Sequence, residues 1–164
     1  MTSDKSDFLD RLLALLEQNG IRYCVIGGQG VNAYAEPVVS LDLDIVVAVD
    51  QLALAEQVFG RDFHVERFPH SVNVSAAGSE LRLQLRTDPR YADYVARSTV
   101  RDVLGLPLPV ADIADVLEGK VWAASAPDRG PSKRLKDLAD IARLLEVRPD
   151  LRERVPAEIL QRLS

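Results

Sequence analysis

Two acidic residues follow a pair of glycines in the stretch IGGQGVNAYAEPVVSLDLDIVV, residues 26–47. Asp42 and Asp44 lie two positions apart at the start of an apolar run, so in a strand they share one face, about 6.6 Å apart along it. Carboxylates this close repel each other unless a cation compensates. Mg²⁺ or Mn²⁺ suits the site, because such ions bind carboxylate oxygens together with phosphate oxygens and water. The spacing therefore predicts a metal site for a ligand that carries phosphate.

The glycines permit two interpretations. Gly27 and Gly28 precede a short helical segment, where bare backbone amides approach a phosphate and a helix start favours negative charge. The pattern Gly28-x-Gly30-x-x-Ala33 instead matches the phosphate turn of a dinucleotide fold. That fold needs a crossover of a dozen or more residues, whereas Pro37 ends the helical segment after about two turns. The sequence therefore favours the metal-dependent interpretation.

Hydrophobic periodicity and turn signals predict the elements that position these residues. Helices are predicted over residues 4–18, 29–35, 51–59, 91–98, 112–125, 132–146 and 152–163, and strands over 21–26 and 41–49. Residues 71–75 and 80–86 predict an antiparallel hairpin, and residues 104–110 a connection or short ribbon. The predicted fold class is α+β: a small mixed β-sheet with flanking helices in one domain, residues 1–164, divided into a sheet core (1–98) and a C-terminal helical half (99–164).

The composition indicates the class of protein and its location in the cell. The chain is 47% hydrophobic and 27% charged, which is typical of a soluble globular domain. No apolar run approaches the roughly 20 residues that span a membrane, and the first residues lack the pattern of a signal peptide. Together with the lone Cys24, predicted to be buried and reduced, this predicts a cytoplasmic protein without a membrane partner. The net charge of −5 gives no overall attraction to nucleic acid.

Two segments resemble a known superfamily. Residues 26–47 resemble the core of the nucleotidyltransferases related to DNA polymerase β, where Gly-Gly or Gly-Ser, a short helix and Asp-x-Asp follow one another. The stretch DVLEGKVWAASAPDRGPSKRLKDLADIARLLE, residues 115–146, is similar to the helical segment of the minimal bacterial branch that includes AbiEii-type toxins. Lys120 matches a helical lysine of that branch, and Lys136-Asp137-Leu138-Ala139-Asp140 matches its Lys/Arg-Asp-x-x-Asp pattern.

The resemblance implies an activity and a set of site residues. The activity is transfer of a nucleotidyl group from an NTP such as ATP to an acceptor hydroxyl or phosphate, with Asp42 and Asp44 holding the metal. Asp137 or Asp140 would orient or deprotonate the acceptor. The nucleotide-binding residues would be Gly27, Gly28, Gln29, Ser40, Gln84, Lys120 and Lys136. The acceptor would be RNA, protein or a small molecule, in a toxin–antitoxin or phage-defence setting with a cognate antitoxin or toxin partner.

One position departs from the superfamily pattern. Many of these transferases carry a third carboxylate on the hairpin strand, where this chain has Gln84. A neutral amide does not supply the charge that holds a second Mg²⁺. A one-metal enzyme, a catalytically weakened nucleotide-binding or interaction module, and an antibiotic-modifying nucleotidyltransferase all remain open. Lys120 and Asp137 also have structural alternatives, as a lysine that extends from a helix to solvent and as an acid on a solvent face.

Overall fold

The computed structural model describes residues 4–163, with side chains from residue 7 onward. Seven strands form one mixed sheet. They are β1 (Tyr23–Ile26), β2 (Asp42–Val47), β3 (His64–Phe68), β4 (Ser71–Ser75), β5 (Arg82–Arg86), β6 (Thr99–Val103) and β7 (Leu106–Val110). Their order across the sheet is β3-β4-β5-β2-β1-β7-β6. The predicted α+β class, with a mixed sheet and flanking helices, is confirmed.

Helices cover both faces of the sheet. They are α1 (Asp4–Gln18), α2 (Gly27–Asn32), α3 (Leu52–Asp62), α4 (Ile113–Ser125), α5 (Pro131–Val147) and α6 (Ala157–Arg162). One core contains Phe8 of α1 and Phe59 of α3 together with Ile45 of β2. The other contains Ile141 of α5 together with Val46 of β2. No helix of the described residues is long and apolar enough to cross a membrane.

Strand β2 sets the direction of the two acids. Leu43, Ile45 and Val47 alternate into the core beneath α1 and α3. Because successive side chains of a strand point to opposite faces, Asp42 and Asp44 face the side that α4 and α5 cover. The strand pairs antiparallel with β1 and parallel with β5. The two acids therefore lie near the centre of the sheet, beside the glycines that end β1.

The segment after β5 differs from the prediction. The helix predicted over residues 91–98 is wrong, because the structure has two short 3₁₀ turns there, Pro89–Tyr91 and Val95–Arg97. The amide of Tyr94 donates to the carbonyl of Tyr91 at 3.0 Å, an i to i−3 bond. This tighter winding places residues three apart on one side, and the rings of Tyr91 and Tyr94 both pack against Trp122.

Other differences lie at the edges of the fold. Strand β3 was not predicted, and it pairs with β4 at one edge of the sheet. The hairpin of β6 and β7 extends the opposite edge through Val25 and Val110. Strand β7 agrees with the ribbon predicted as one alternative for residues 104–110, whereas β6 was not predicted. The final predicted helix, 152–163, is a 3₁₀ turn, Pro149–Arg154, followed by α6.

Candidate active site

A cleft of about 810 Å³ lies between helices α4 and α5 and the sheet face that carries the acidic pair. It brings together most of the residues that the sequence predicted for the site. These are Gly28, Ser40, Asp42, Asp44, Gln84, Lys120, Lys136, Asp137 and Asp140. Residues separated by up to 112 positions therefore line one space.

Gly27 lies directly behind the acidic pair, in the backbone of the site. Its φ of +66° falls in the left-handed region that favours glycine. A Cβ at this position would lie 2.2 Å from Oδ2 of Asp44. Glycine at position 27 is therefore required for Asp44 to occupy its place, and the neighbouring Gly28 lines the cleft itself.

Gln29 has a different environment from the predicted one. Its side chain is buried, donates to the carbonyl oxygen of Ser40 at 3.1 Å and accepts from Asn32 at 3.3 Å. It does not line the cleft. This placement does not support the predicted contact between Gln29 and phosphate, because the amide already holds the loop that leads into β2.

Two arginines of β5 neutralise the acidic pair. Arg82 Nη2 lies 3.1 Å from Asp42 Oδ1, and Arg86 Nη2 lies 3.7 Å from Asp44 Oδ2. The side chain of Asp44 is only 14% exposed. Burial raises the pKa of Asp44, whereas the positive charges of Arg86 and Lys120 act in the opposite direction. Both arginines alternate with Gln84 along β5, and this alternation was the available signal, although the sequence prediction assigned them no role.

The carboxylates retain capacity for one cation. Oδ1 of Asp42 and Oδ1 of Asp44 are buried and accept no hydrogen bond from the described residues, although Asp42 Oδ1 has its ion pair with Arg82. Two carboxylates fit one Mg²⁺ that shares phosphate and water ligands. The described residues contain no cluster of three or more His, Cys, Asp or Glu able to hold a metal without such additional ligands.

Gln84 occupies the position expected for a third acid. The parallel register of β2 and β5 sets Gln84 directly beside Asp44. Its Oε1 accepts a hydrogen bond from Arg86 Nη2 at 3.1 Å. On the next strand, Asn73 is its register partner, and Oδ1 of Asn73 is buried without a hydrogen-bond partner in the described chain. The amides extend the cleft without adding negative charge.

Lys120 links α4 to α5 inside the cleft. Its Nζ lies 3.3 Å from Oδ1 of Asp137 and 2.9 Å from Oδ2 of Asp140. Burial disfavours the ammonium, but Asp140 and Asp137 outweigh that effect and raise the pKa of Lys120 above its usual value. The lysine is therefore a fixed positive charge, only 12% exposed, and not a solvent-directed side chain.

Asp137 is the most enclosed acid of the site. Its side chain is 1% exposed, and Arg129 donates to both of its oxygens at 2.8 and 3.0 Å. With Lys120 beside it, the carboxylate holds two cations in place. Asp140 is more accessible, at 15%, and pairs with Arg143 at 2.8 Å. Asp137 is therefore not a solvent-face residue.

Arg143 is a site residue for which the sequence offered no signal. It joins Asp140 to the carbonyl of Glu36 and to Asn32 Oδ1, the latter at 2.9 Å. These bonds cross more than 100 positions in the chain. They hold α5 against α2 and the loop between α2 and β2, which forms one wall of the cleft.

Comparison with solved structures identifies the class of fold. ANT(2'')-Ia, solved in complex with adenylyl-2''-tobramycin, shares 14% identity at a TM-score of 0.57, over 90% of this chain and 97% of that one. The lincosamide antibiotic adenylyltransferase LnuA, solved with lincomycin, shares 12% sequence identity at a TM-score of 0.56. The match covers 87% of this chain and 99% of that one. An antigenic nucleotidyltransferase-like protein from Paracoccidioides brasiliensis shares 19% sequence identity at a TM-score of 0.55. The match covers 89% of this chain and 78% of that one.

These similarities define the chain as a nucleotidyltransferase-fold protein. No family model matches the sequence, and no curated protein matches it. The likeness is one of fold, and it extends over nearly the whole chain.

Proposed function

We propose that the protein is a Mg²⁺-dependent nucleotidyltransferase that moves a nucleotidyl group from an NTP to a hydroxyl or phosphate group of an acceptor. The observation that carries the proposal is the cleft in which Asp42 and Asp44 meet Gly28 of the glycine turn and Lys120 of α4. Metal-binding carboxylates beside a fixed ammonium and an unobstructed backbone suit a triphosphate. Asp42 and Asp44 would hold the metal, which would neutralise charge on the phosphates.

The residues of the chain have separate roles in this reaction. The acceptor oxygen attacks the α-phosphorus and forms a new O–P bond. The bond from that phosphorus to the bridging oxygen breaks, and pyrophosphate leaves with the electron pair. Lys120 binds phosphate oxygens. Asp140 accepts the proton of an acceptor hydroxyl, because it is more accessible than Asp137. Asp137, which the sequence predicted as a catalytic base, is better suited to position Lys120 and Arg129.

Nucleotide titration by calorimetry tests the proposal directly. We expect the wild-type protein to bind ATP or another NTP with Mg²⁺. The variant Asp42→Asn/Asp44→Asn should lose the part of the NTP affinity that depends on Mg²⁺. Asp50→Asn is a matched control, because Asp50 is an exposed acid paired with Arg22 outside the cleft. If no NTP binds to the wild type, the proposal is refuted.

The acceptor is the next question. Two of the similar solved structures, of about the same chain length, hold bound antibiotics: ANT(2'')-Ia holds adenylyl-2''-tobramycin, and LnuA holds lincomycin. Their similarity supports a test of small hydroxylated acceptors with α-labelled NTP. The toxin–antitoxin setting predicts instead that total RNA or a cellular protein becomes labelled and that expression arrests growth until a cognate partner is supplied. Because NTPs are cytosolic donors, we propose a cytoplasmic location.

A second candidate is a nucleotide-binding module with weakened catalysis. It is favoured by Gln84 beside Asp44 and by Arg82 and Arg86, which already neutralise the acidic pair. NTP binding without transfer of label to any of these acceptors would favour this candidate. Transfer of label that is lost in Asp140→Asn would favour the enzyme.

A further inference from the structure

We propose that Arg86 supplies the positive charge that a second metal ion provides in two-metal transferases, so that the site binds NTP with a single divalent cation. The inference rests on the function proposed above and deepens it. It is carried by the contacts of Arg86 with Asp44 and Gln84 on the floor of the cleft.

The acids of the site provide for one metal. Two-metal sites hold two divalent ions about 3.5–4 Å apart, and carboxylates are the usual protein ligands of such ions. Here the described residues contain no cluster of three such ligands, and Gln84 stands in register with Asp44, where the superfamily resemblance leads us to expect a further acid. Asp42 and Asp44 supply two carboxylates, which fit one Mg²⁺ that shares phosphate and water ligands.

Arg86 lies on the other side of Asp44 from the unoccupied oxygen. Its Nη2 approaches Oδ2, 3.7 Å away, whereas Oδ1 is the buried oxygen without a hydrogen-bond partner in the described chain. The two oxygens of one carboxylate thus differ: Oδ2 faces the guanidinium, and Oδ1, which has no partner among the described residues, is the oxygen that would bind a metal ion. Arg86 is 28% exposed, so it is held by the protein and still open to a ligand.

The donor atoms of Arg86 suit a phosphate. A guanidinium carries five N–H donors in a planar fork that matches phosphate oxygens. The contacts with Asp44 and Gln84 both use Nη2. Nη1 and Nε donate no hydrogen bond to the described residues and can donate to the triphosphate. Gln84 accepts from Nη2 at 3.1 Å and thereby orients the fork.

Metal-free binding of a non-hydrolysable ATP analogue is the first test. In excess EDTA, we expect Arg86→Gln to weaken binding about tenfold, because a charge-assisted bond to phosphate is lost. Arg86→Lys should retain part of the affinity. Arg67→Gln is the matched control, because Arg67 lies on β3 and pairs with Glu56 outside the cleft. This variant should bind the analogue as the wild type does. Thermal unfolding of each variant confirms that it is folded.

Metal stoichiometry is the second test, and it does not depend on turnover. We expect electron paramagnetic resonance to show one Mn²⁺ bound per wild-type protein with the analogue, and two in Gln84→Asp/Arg86→Gln. Two Mn²⁺ in the wild type, or equal metal-free affinities for Arg86→Gln and Arg67→Gln, would overturn the role of Arg86 while leaving the nucleotidyltransferase proposal intact. Absence of any analogue binding with Mg²⁺ would overturn both.

Discussion

At the scale of single residues, Gly27 carries a double constraint. Its φ is +66°, and a Cβ there would lie 2.2 Å from Oδ2 of Asp44. We expect Gly27→Ala to destabilise the protein and to abolish Mg²⁺-dependent NTP binding, because the methyl group must displace the metal-binding carboxylate. Thermal unfolding and calorimetry measure the two effects.

Gly20→Ala separates the backbone effect from the steric one. Gly20 also has a positive φ, +61°, but a Cβ there meets no atom within 4 Å. The Gly20→Ala variant should lose about 1 kcal/mol of stability from backbone strain alone and keep its affinity for NTP. Equal losses of NTP binding in Gly20→Ala and Gly27→Ala would contradict the proposed contact with Asp44.

Cys24 permits a residue-scale test of the packing beneath the sheet. Burial, followed by the charge of Asp115, raises the pKa of this thiol to about 12. At pH 8 roughly one thiol in ten thousand is ionised, and the thiolate is the reactive form. We expect native protein to resist iodoacetamide at pH 8 and urea-unfolded protein to react fully, as mass spectrometry would show. Rapid alkylation of the native protein would contradict the buried position.

At the scale of elements, local patterns predict some parts of this fold and not others. The apolar periodicity of α1 and α5 lies within each helix, so both could be predicted from sequence. Strand β3 has no such pattern, since four of its five residues are exposed and its pairing with β4 fixes it in the sheet.

The same distinction applies to the candidate site. The alternation of β2 and β5 predicts that Asp42 and Asp44 share a face and that Gln84 lies on the face of its strand opposite Leu83 and Leu85. The contact of Arg86 with Asp44 depends on the parallel register between those strands, which are about 40 positions apart. Arg143 makes its bonds to the α2 region only because α5 folds back across the molecule. Neither contact follows from local spacing.

The junction of α4 and α5 depends on one carboxylate. Asp137 is 1% exposed and accepts from Arg129 and Lys120. We expect Asp137→Asn to lower the free energy of unfolding by roughly 3 kcal/mol, because Arg129 loses its buried counter-ion and Lys120 keeps only Asp140. Urea denaturation gives the value. Asp150→Asn is the control: Asp150 pairs with Arg148 on the surface and should show no resolvable change. A small effect at Asp137 would show that water or other groups compensate the cations.

At the scale of the whole molecule, charge is distributed unevenly. The chain has a net charge of −5, yet the cleft is lined by seven basic and four acidic side chains. The basic ones are Arg82, Arg86, Lys120, Arg129, Lys133, Lys136 and Arg143. Lys133 and Lys136 are exposed on α5 and make no ion pair with the described residues. Such a cleft attracts anions to a protein whose overall field repels them.

The two lysines allow this attraction to be measured. We expect Lys133→Gln/Lys136→Gln to weaken Mg²⁺–NTP binding severalfold at low ionic strength and progressively less as KCl is added, because salt screens exposed charges over about 10 Å. Arg22→Gln/Arg148→Gln removes the same charge from two exposed residues outside the cleft and should change affinity little. Calorimetry across a KCl series measures both variants. If the two double variants respond identically, net charge rather than the lysines of α5 governs binding, and the cleft does not select anions locally.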